Sequence, residues 1–194
     1  MKKMNSKALA GTAILAVLVI VLDYTMKYSG LKIPFPWLPI LKFDFTGIPI
    51  VLSLLLFDFN SGIFTSMVAF TAILSRSGDF IGSSMKAFAE LSTISGISIA
   101  LKVVPKFPKS ASLILGVSTR CLIMFVLNLV VLPEYYNMSF PVAIGISPLI
   151  VVFNAIQGSI NILCGYSIYN ATKRRILSQP NQSQRRLHRN KDSS

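Results

Sequence analysis

Four polar side chains stand within otherwise apolar stretches and have chemistry to offer: Glu90, Asn128, Asn154 and Gln157. In lipid, a buried polar group without a partner costs on the order of a few kcal/mol, so each of them needs one. Asn154 and Gln157 are three residues apart and share a helical face. Amides donate and accept at once, which suits recognition of a neutral, polyfunctional molecule better than a strongly charged one. Hydrogen bonding between helices is the competing account of each amide taken singly. A fifth feature lies near the first third of the chain, where Leu41, Lys42, Phe43, Asp44, Phe45, Thr46 and Gly47 lead through Pro49 into the apolar run Ile50 to Phe57. Thr46 reads as a helix N-cap and Pro49 suits a first helical turn, where a missing N–H costs little. An Asp and a Lys beside two Phe rings at that lip can line the mouth of a pocket. An ordinary loop-to-helix junction accounts for the same residues.

Catalysis has no comparable support. There is no phosphate-binding glycine loop, no His/Cys ligand set and no Ser–His pairing. The lone His188 is in the tail, and Cys121 and Cys164 sit in apolar runs, where they read as small hydrophobes. The expectation is a protein that is not an enzyme, with no metal and no cofactor. The chain cannot hydrolyse ATP by itself, so active transport would draw its energy from partners or an ion gradient.

The elements that must position these groups follow from composition. Of 194 residues, 53% are hydrophobic and 13% charged, about half the charged share of a soluble domain. A net charge of +12 would suggest nucleic acid, but its placement argues for a membrane: Lys2, Lys3 and Lys7 precede the first apolar run, and seven of 19 basic residues lie in Lys173–Lys191. Apolar runs predict spans at Ala8–Leu22 (extendable to Met26), Thr46–Phe57, Ile63–Leu74, Ala87–Val104, Ala111–Leu132 and Val142–Tyr169. The second and third are short for spans and admit a re-entrant hairpin as the alternative. Lys27–Phe45, Arg76–Lys86 and Pro133–Pro141 read as outer loops, and Lys102, Lys106 and Lys109 mark an inner one. The fold class expected is therefore all-α, an integral membrane bundle of six transmembrane helices with both termini cytoplasmic, in the cell membrane and in contact with lipid. Residues 1–172 form the bundle and 173–194 a basic cytoplasmic tail. This topology lets Glu90, Asn128, Asn154 and Gln157 meet in the outer half, beneath Leu41–Pro49. Arg120 falls near mid-span with no role assigned. Ala8, Thr12 and Ala16 form a narrow small-residue face on the first helix.

Several stretches, in order, resemble one family. Leu41–Pro49 (LKFDFTGIP) is similar to a motif that follows the first helix in riboflavin-specific S components of energy-coupling factor (ECF) transporters. Phe57–Gly62 is similar to that family's short turn, Phe88-Ala89-Glu90 to its FAN segment, Val126–Pro133 to its VLNYFLILP, and Pro148–Gly158 to its PFNIIKG region. The resemblance spans roughly residues 8–172. It implies a six-helix subunit that captures riboflavin or a related flavin from outside, with another vitamin or precursor as the alternative, and docks on a coupling protein and two ABC ATPases; a self-sufficient secondary transporter is the competing reading of the chain. By this resemblance Asn128, Asn154 and Gln157 contact the ligand, Leu41–Gly47 closes the site, and Ala8, Thr12 and Ala16 meet the coupling protein. The sequence departs from the pattern at Gly47, where the family has Asp, and at Gln157, where it has Lys. It departs again at Ala69 and Phe70, where the family has Lys-Asn, and at Thr12 in the small-residue repeat.

Overall fold

The structure, a computed structural model, describes residues 6–178, without the side chains of 176–178. It contains six helices and one β-hairpin: α1 (Ser6–Tyr28), β1 (Ile33–Phe35), β2 (Leu38–Phe43), α2 (Gly47–Leu56), α3 (Phe59–Ser77), α4 (Phe80–Val103), α5 (Pro108–Tyr136) and α6 (Phe140–Ser178). The chain is a helical membrane bundle. α1, α5 and α6 are long and apolar enough to cross a membrane. α3 and α4, of 19 and 24 residues, are more polar and bury Thr65, Glu90, Ser92 and Thr93.

Neighbouring helices pack in the order α1, α3, α4, α5, α6, and α2 lies among α1, α3, α4 and α6. Val19, Ile50, Val51, Ile94, Ile97 and Ile162 are fully buried at the centre. The outward face of α1, with Leu9, Ile14 and Val21, is exposed as a lipid-facing stripe should be.

Four expectations are corrected. First, Lys27–Phe45 is not all loop: β1 and β2 pair antiparallel, Ile33 with Phe43 and Pro34 with Lys42. The prolines that exclude a helix here are compatible with a two-stranded sheet, because each strand has an outer edge that needs no N–H. Second, α2 is shorter than the run Thr46–Phe57 expected as a span. Its 10 residues rise about 15 Å, half the hydrocarbon thickness. Its first residue, Gly47, lies against Glu90 and Asn161, well inside α4 and α6. The chain therefore descends into the bundle as hairpin and linker, and α2 continues the descent. Third, the expected loops Arg76–Lys86 and Pro133–Pro141 are mostly helix. α3 ends on Gly78 in the left-handed conformation, φ 66°, and Asp79 caps α4 by accepting from Gly82 N at 2.9 Å. α5 runs through Pro133 and closes on Asn137, φ 51°. Where water is scarce, giving up one helical hydrogen bond at a proline is cheaper than unwinding the turn. Fourth, the boundary at residue 172 falls inside α6, which carries Lys173, Arg174 and Arg175; residues 179–194 of the expected tail lie outside the described residues.

A buried ion cluster fixes the hairpin end of the bundle. Asp23 on α1 accepts from Lys32 Nζ at 2.7 Å and from Arg76 Nε at 2.6 Å, so α1, the start of the hairpin and α3 share one carboxylate.

Candidate ligand site

Beneath the hairpin a cavity of about 340 Å³ opens among β2, α4, α5 and α6. That volume is within the range of small-molecule pockets. β2 contributes Leu38, Ile40 and Leu41 to its wall, and α4 contributes Met85 and Lys86. α5 contributes Arg120, Met124 and Asn128; α6 contributes Ile150, Phe153, Asn154 and Gln157. The hairpin is seated by aromatic contacts: Phe35 and Phe43 lie 5.6 Å and 4.9 Å from the Phe153 ring, and Trp37 lies edge-on to Phe35 at 5.2 Å. These are favourable tilted and edge-to-face arrangements.

The polar groups form one connected network. Lys86 Nζ donates to Asp44 Oδ1 at 2.7 Å and pairs with Glu90 Oε1 at 3.1 Å. Arg120 Nη1 donates to Glu90 Oε1 at 3.2 Å, Thr93 Oγ1 at 3.0 Å and Ala89 O at 3.3 Å, while its Nε donates to Asn154 Oδ1 at 3.1 Å. Asn161 Nδ2 donates to both Glu90 oxygens at 3.3 Å. Two carboxylates and two cations thus neutralise each other under the cavity, the condition under which buried charges are tolerated. With the charges already matched, a neutral occupant adds no unpaired charge. Burial alone would raise the pKa of Asp44, which lies in the linker outside any helix. Lys86 outweighs that effect, with help from Lys32 and the Thr46 hydroxyl, and holds the carboxyl below its ordinary value.

Gln157 spans the linker in a way its sequence position does not announce. Its Nε2 donates to Asp44 O at 2.6 Å and its Oε1 accepts from Asp44 N at 3.3 Å, so one amide imitates a β-bridge across the Asp44 backbone. The same Nε2 donates to Asn161 Oδ1 at 3.0 Å.

Of the residues singled out from sequence, Leu41, Lys42, Asp44, Asn128, Asn154 and Gln157 are on the cavity wall. Asn128 has one bond, from Nδ2 to Met124 O at 2.7 Å. Glu90 is fully buried and supports the wall through Lys86 and Arg120 rather than forming it. Phe43 packs its ring against Phe35 and Phe153, and Phe45 is 41% exposed; neither is on the cavity wall. Thr46 is not a capping residue: its backbone is helical, φ −64° and ψ −24°, no side-chain cap bond forms, and its hydroxyl donates to Asp44 Oδ1 at 2.8 Å. Gly47 is a point of close approach. A Cβ there would fall onto the Asn161 amide nitrogen and lie 2.6 Å from Glu90 Oε2, so the Asp of the similar motif has no room in this chain. On α1, Thr12 and Ala16 are buried inside the bundle and only Ala8 is partly exposed, so that face is occupied by the chain's own helices. Sequence reasoning missed Arg120, Lys86 and Asn161. A cation in mid-span and a Lys four residues before Glu90 were the signals available.

No family model and no curated protein matches the chain. A solved structure does: the S component of a bacterial ECF transporter, with a TM-score of 0.74 and 24% sequence identity, over 89% of this chain and 98% of that one. The two share a fold, a helical membrane bundle that includes almost the whole of the solved chain.

Proposed function

We propose that this chain is a substrate-binding S component of an ECF-type importer and that it captures riboflavin or a related flavin. The observation that carries the reading is the electroneutral polar network at the base of a largely apolar cavity, roofed by an aromatic hairpin, in a bundle of this fold. Such a site binds a flat, neutral, acceptor-bearing molecule and performs no chemistry on it. Release to the cell interior then falls to partners: a transmembrane coupling protein and two ABC ATPases, with the chain in the cell membrane and its termini cytoplasmic. The resemblance of Leu41–Pro49, Val126–Pro133 and Pro148–Gly158 to the riboflavin-specific type favours a flavin over other vitamins. Gln157 is engaged by the Asp44 backbone, so in this reading it shapes the linker, and Asn154 and Asn128 face the ligand.

Titration of the purified protein with riboflavin tests this. Saturable quenching of flavin fluorescence is expected, because the ring enters an aromatic, water-poor cavity. Asn154→Ala should weaken binding by roughly ten- to a hundredfold, the scale of a buried hydrogen bond lost together with the orientation of Arg120. Binding of a different water-soluble vitamin, and of no flavin, would keep the importer and replace the ligand.

A further inference from the structure

Arg120 is 2% exposed, yet part of its hydrogen-bonding capacity is unspent. Nε serves Asn154, and Nη1 serves Ala89, Glu90 and Thr93. Nη2 donates to nothing among the described residues. Nor is it a sealed orphan, since the side-chain atoms buried there without a partner are Ser61 Oγ and Ser66 Oγ, both on α3. Arg120 lines the cavity, so the nitrogen that is neither bonded nor sealed off is the one turned toward it. The guanidinium edge that carries Nε also carries Nη2, so a group held by Nη2 lies beside Asn154. The plane itself is fixed by the acceptors on Nε and Nη1, which gives the free N–H groups a set direction.

The remaining valences point the same way. Lys86 Nζ donates to Asp44 and pairs with Glu90, which leaves at least one of its three N–H groups uncommitted. Asn154 Nδ2 spends one of two on Ile150 O, and Asn128 Nδ2 one of two on Met124 O. Both donors of Gln157 are spent. Unspent donors therefore outnumber unspent acceptors, which are chiefly Asn128 Oδ1 and Asp44 Oδ2. A cavity of this kind leaves buried N–H groups unpaired unless its occupant brings acceptors.

We infer that Arg120 contacts the ligand directly through Nη2 and sets its specificity, selecting an uncharged molecule that presents an acceptor edge, a carbonyl oxygen beside a ring nitrogen, to Nη2 and Asn154. The inference rests on the flavin reading above, whose ring carries such an edge, and adds a residue and a bonding pattern to it. A ring edge with only C–H groups is rejected, and so is an anionic group, which would unbalance the two carboxylates and two cations beneath.

The test is a cycle between protein and ligand, using the full chain in detergent. Riboflavin and analogues that each replace one acceptor (1-deazariboflavin and 5-deazariboflavin among them) are titrated against the native protein and against Arg120→Lys. The Lys variant keeps a cation beside Glu90 and loses the guanidinium fork. Glu90→Gln/Arg120→Gln, which removes both charges of the pair together, serves if the Lys variant does not hold its fold. The expected result is a roughly tenfold or greater loss for riboflavin on removing the fork. At least one analogue should lose affinity for the native protein and none further for the variant, the signature of a shared contact. If every analogue loses the same factor against both proteins, or if a folded variant binds riboflavin as the native protein does, the direct contact is refuted and the flavin reading stands. If the native protein binds no flavin, the flavin reading fails and takes this inference with it.

Discussion

Gly47→Ala is a one-carbon perturbation with a sign that the geometry decides. The new Cβ would occupy the position of the Asn161 amide nitrogen and lie 2.6 Å from Glu90 Oε2. The backbone has little freedom to retreat. Thr46 N and its hydroxyl are both held by Asp44 Oδ1, and Ile48 N donates to Phe45 O at 3.1 Å. Asn161 must swing away instead, giving up its bonds to both Glu90 oxygens and the one it accepts from Gln157. Overpacking a close contact costs about 1–3 kcal/mol, and losing a hydrogen bond to a charged group adds about 1.5–3 kcal/mol. Alanine recovers about 1 kcal/mol through its better helix propensity. The net is a destabilisation of about 3 kcal/mol, or a fall in Tm of roughly 6–12 °C for a chain of this size. Thermal unfolding in detergent or nanodiscs reads it out. Asn161→Ala in the Gly47→Ala background removes the obstruction, so the double variant should lose less than the sum of the singles. A neutral or stabilising Gly47→Ala, or strict additivity of the pair, would refute the close approach of the linker to α4 and α6.

Three more outcomes are expected. Gln157→Glu replaces the donor to Asp44 O with a second acceptor and should displace the linker, lowering Tm more than Gln157→Lys, which can still donate; equal losses would remove the clamp from the account. Phe153→Ala deletes the ring beneath Phe35 and Phe43 and should cost about 3–5 kcal/mol, with faster proteolysis in residues 33–43 as the specific readout and unchanged cleavage there as the contrary result. Because the Asp44 carboxyl is held below its ordinary value of 3.8, its contribution is present above that pH and is lost as pH falls through the depressed folded-state value. Stability measured from pH 6 downward should therefore decline mainly below about pH 4, and Asp44→Asn should flatten that part of the curve; an identical acid limb in the variant would show that Asp44 does not supply it.

The parts of this fold that sequence makes legible are those written in hydropathy. Apolar runs locate a part of all six helices, and three of them, α1, α5 and α6, carry the apolar length that a bilayer asks for. Asn154 and Gln157 announce a common face through their spacing, and the descent of Leu41–Gly47 onto them could be expected from their depth. What stayed hidden depends on tertiary contact. Three prolines in Ile33–Phe43 read as a broken loop, and only pairing with a partner strand reveals Pro34 and Pro39 as strand residues, with Pro36 in the turn between them. Ser77-Gly78-Asp79 is so compact a turn that Lys86, counted from sequence as a loop residue, lies inside α4 beside Asp44 and Glu90. Arg120 in an apolar run has several ways to satisfy its charge, and the choice among them rests on where Glu90 and Asn154 arrive from two other helices. Gly47 looked like a departure from a motif; it is required by Asn161, more than a hundred residues away.

The most direct test of the central claim is equilibrium titration of the purified, ligand-free chain with riboflavin, followed by the quenching of flavin fluorescence. One flavin per chain should bind saturably, and Asn154→Ala should weaken that binding. Absence of saturable binding by riboflavin and by every member of a panel of water-soluble vitamins would contradict the claim.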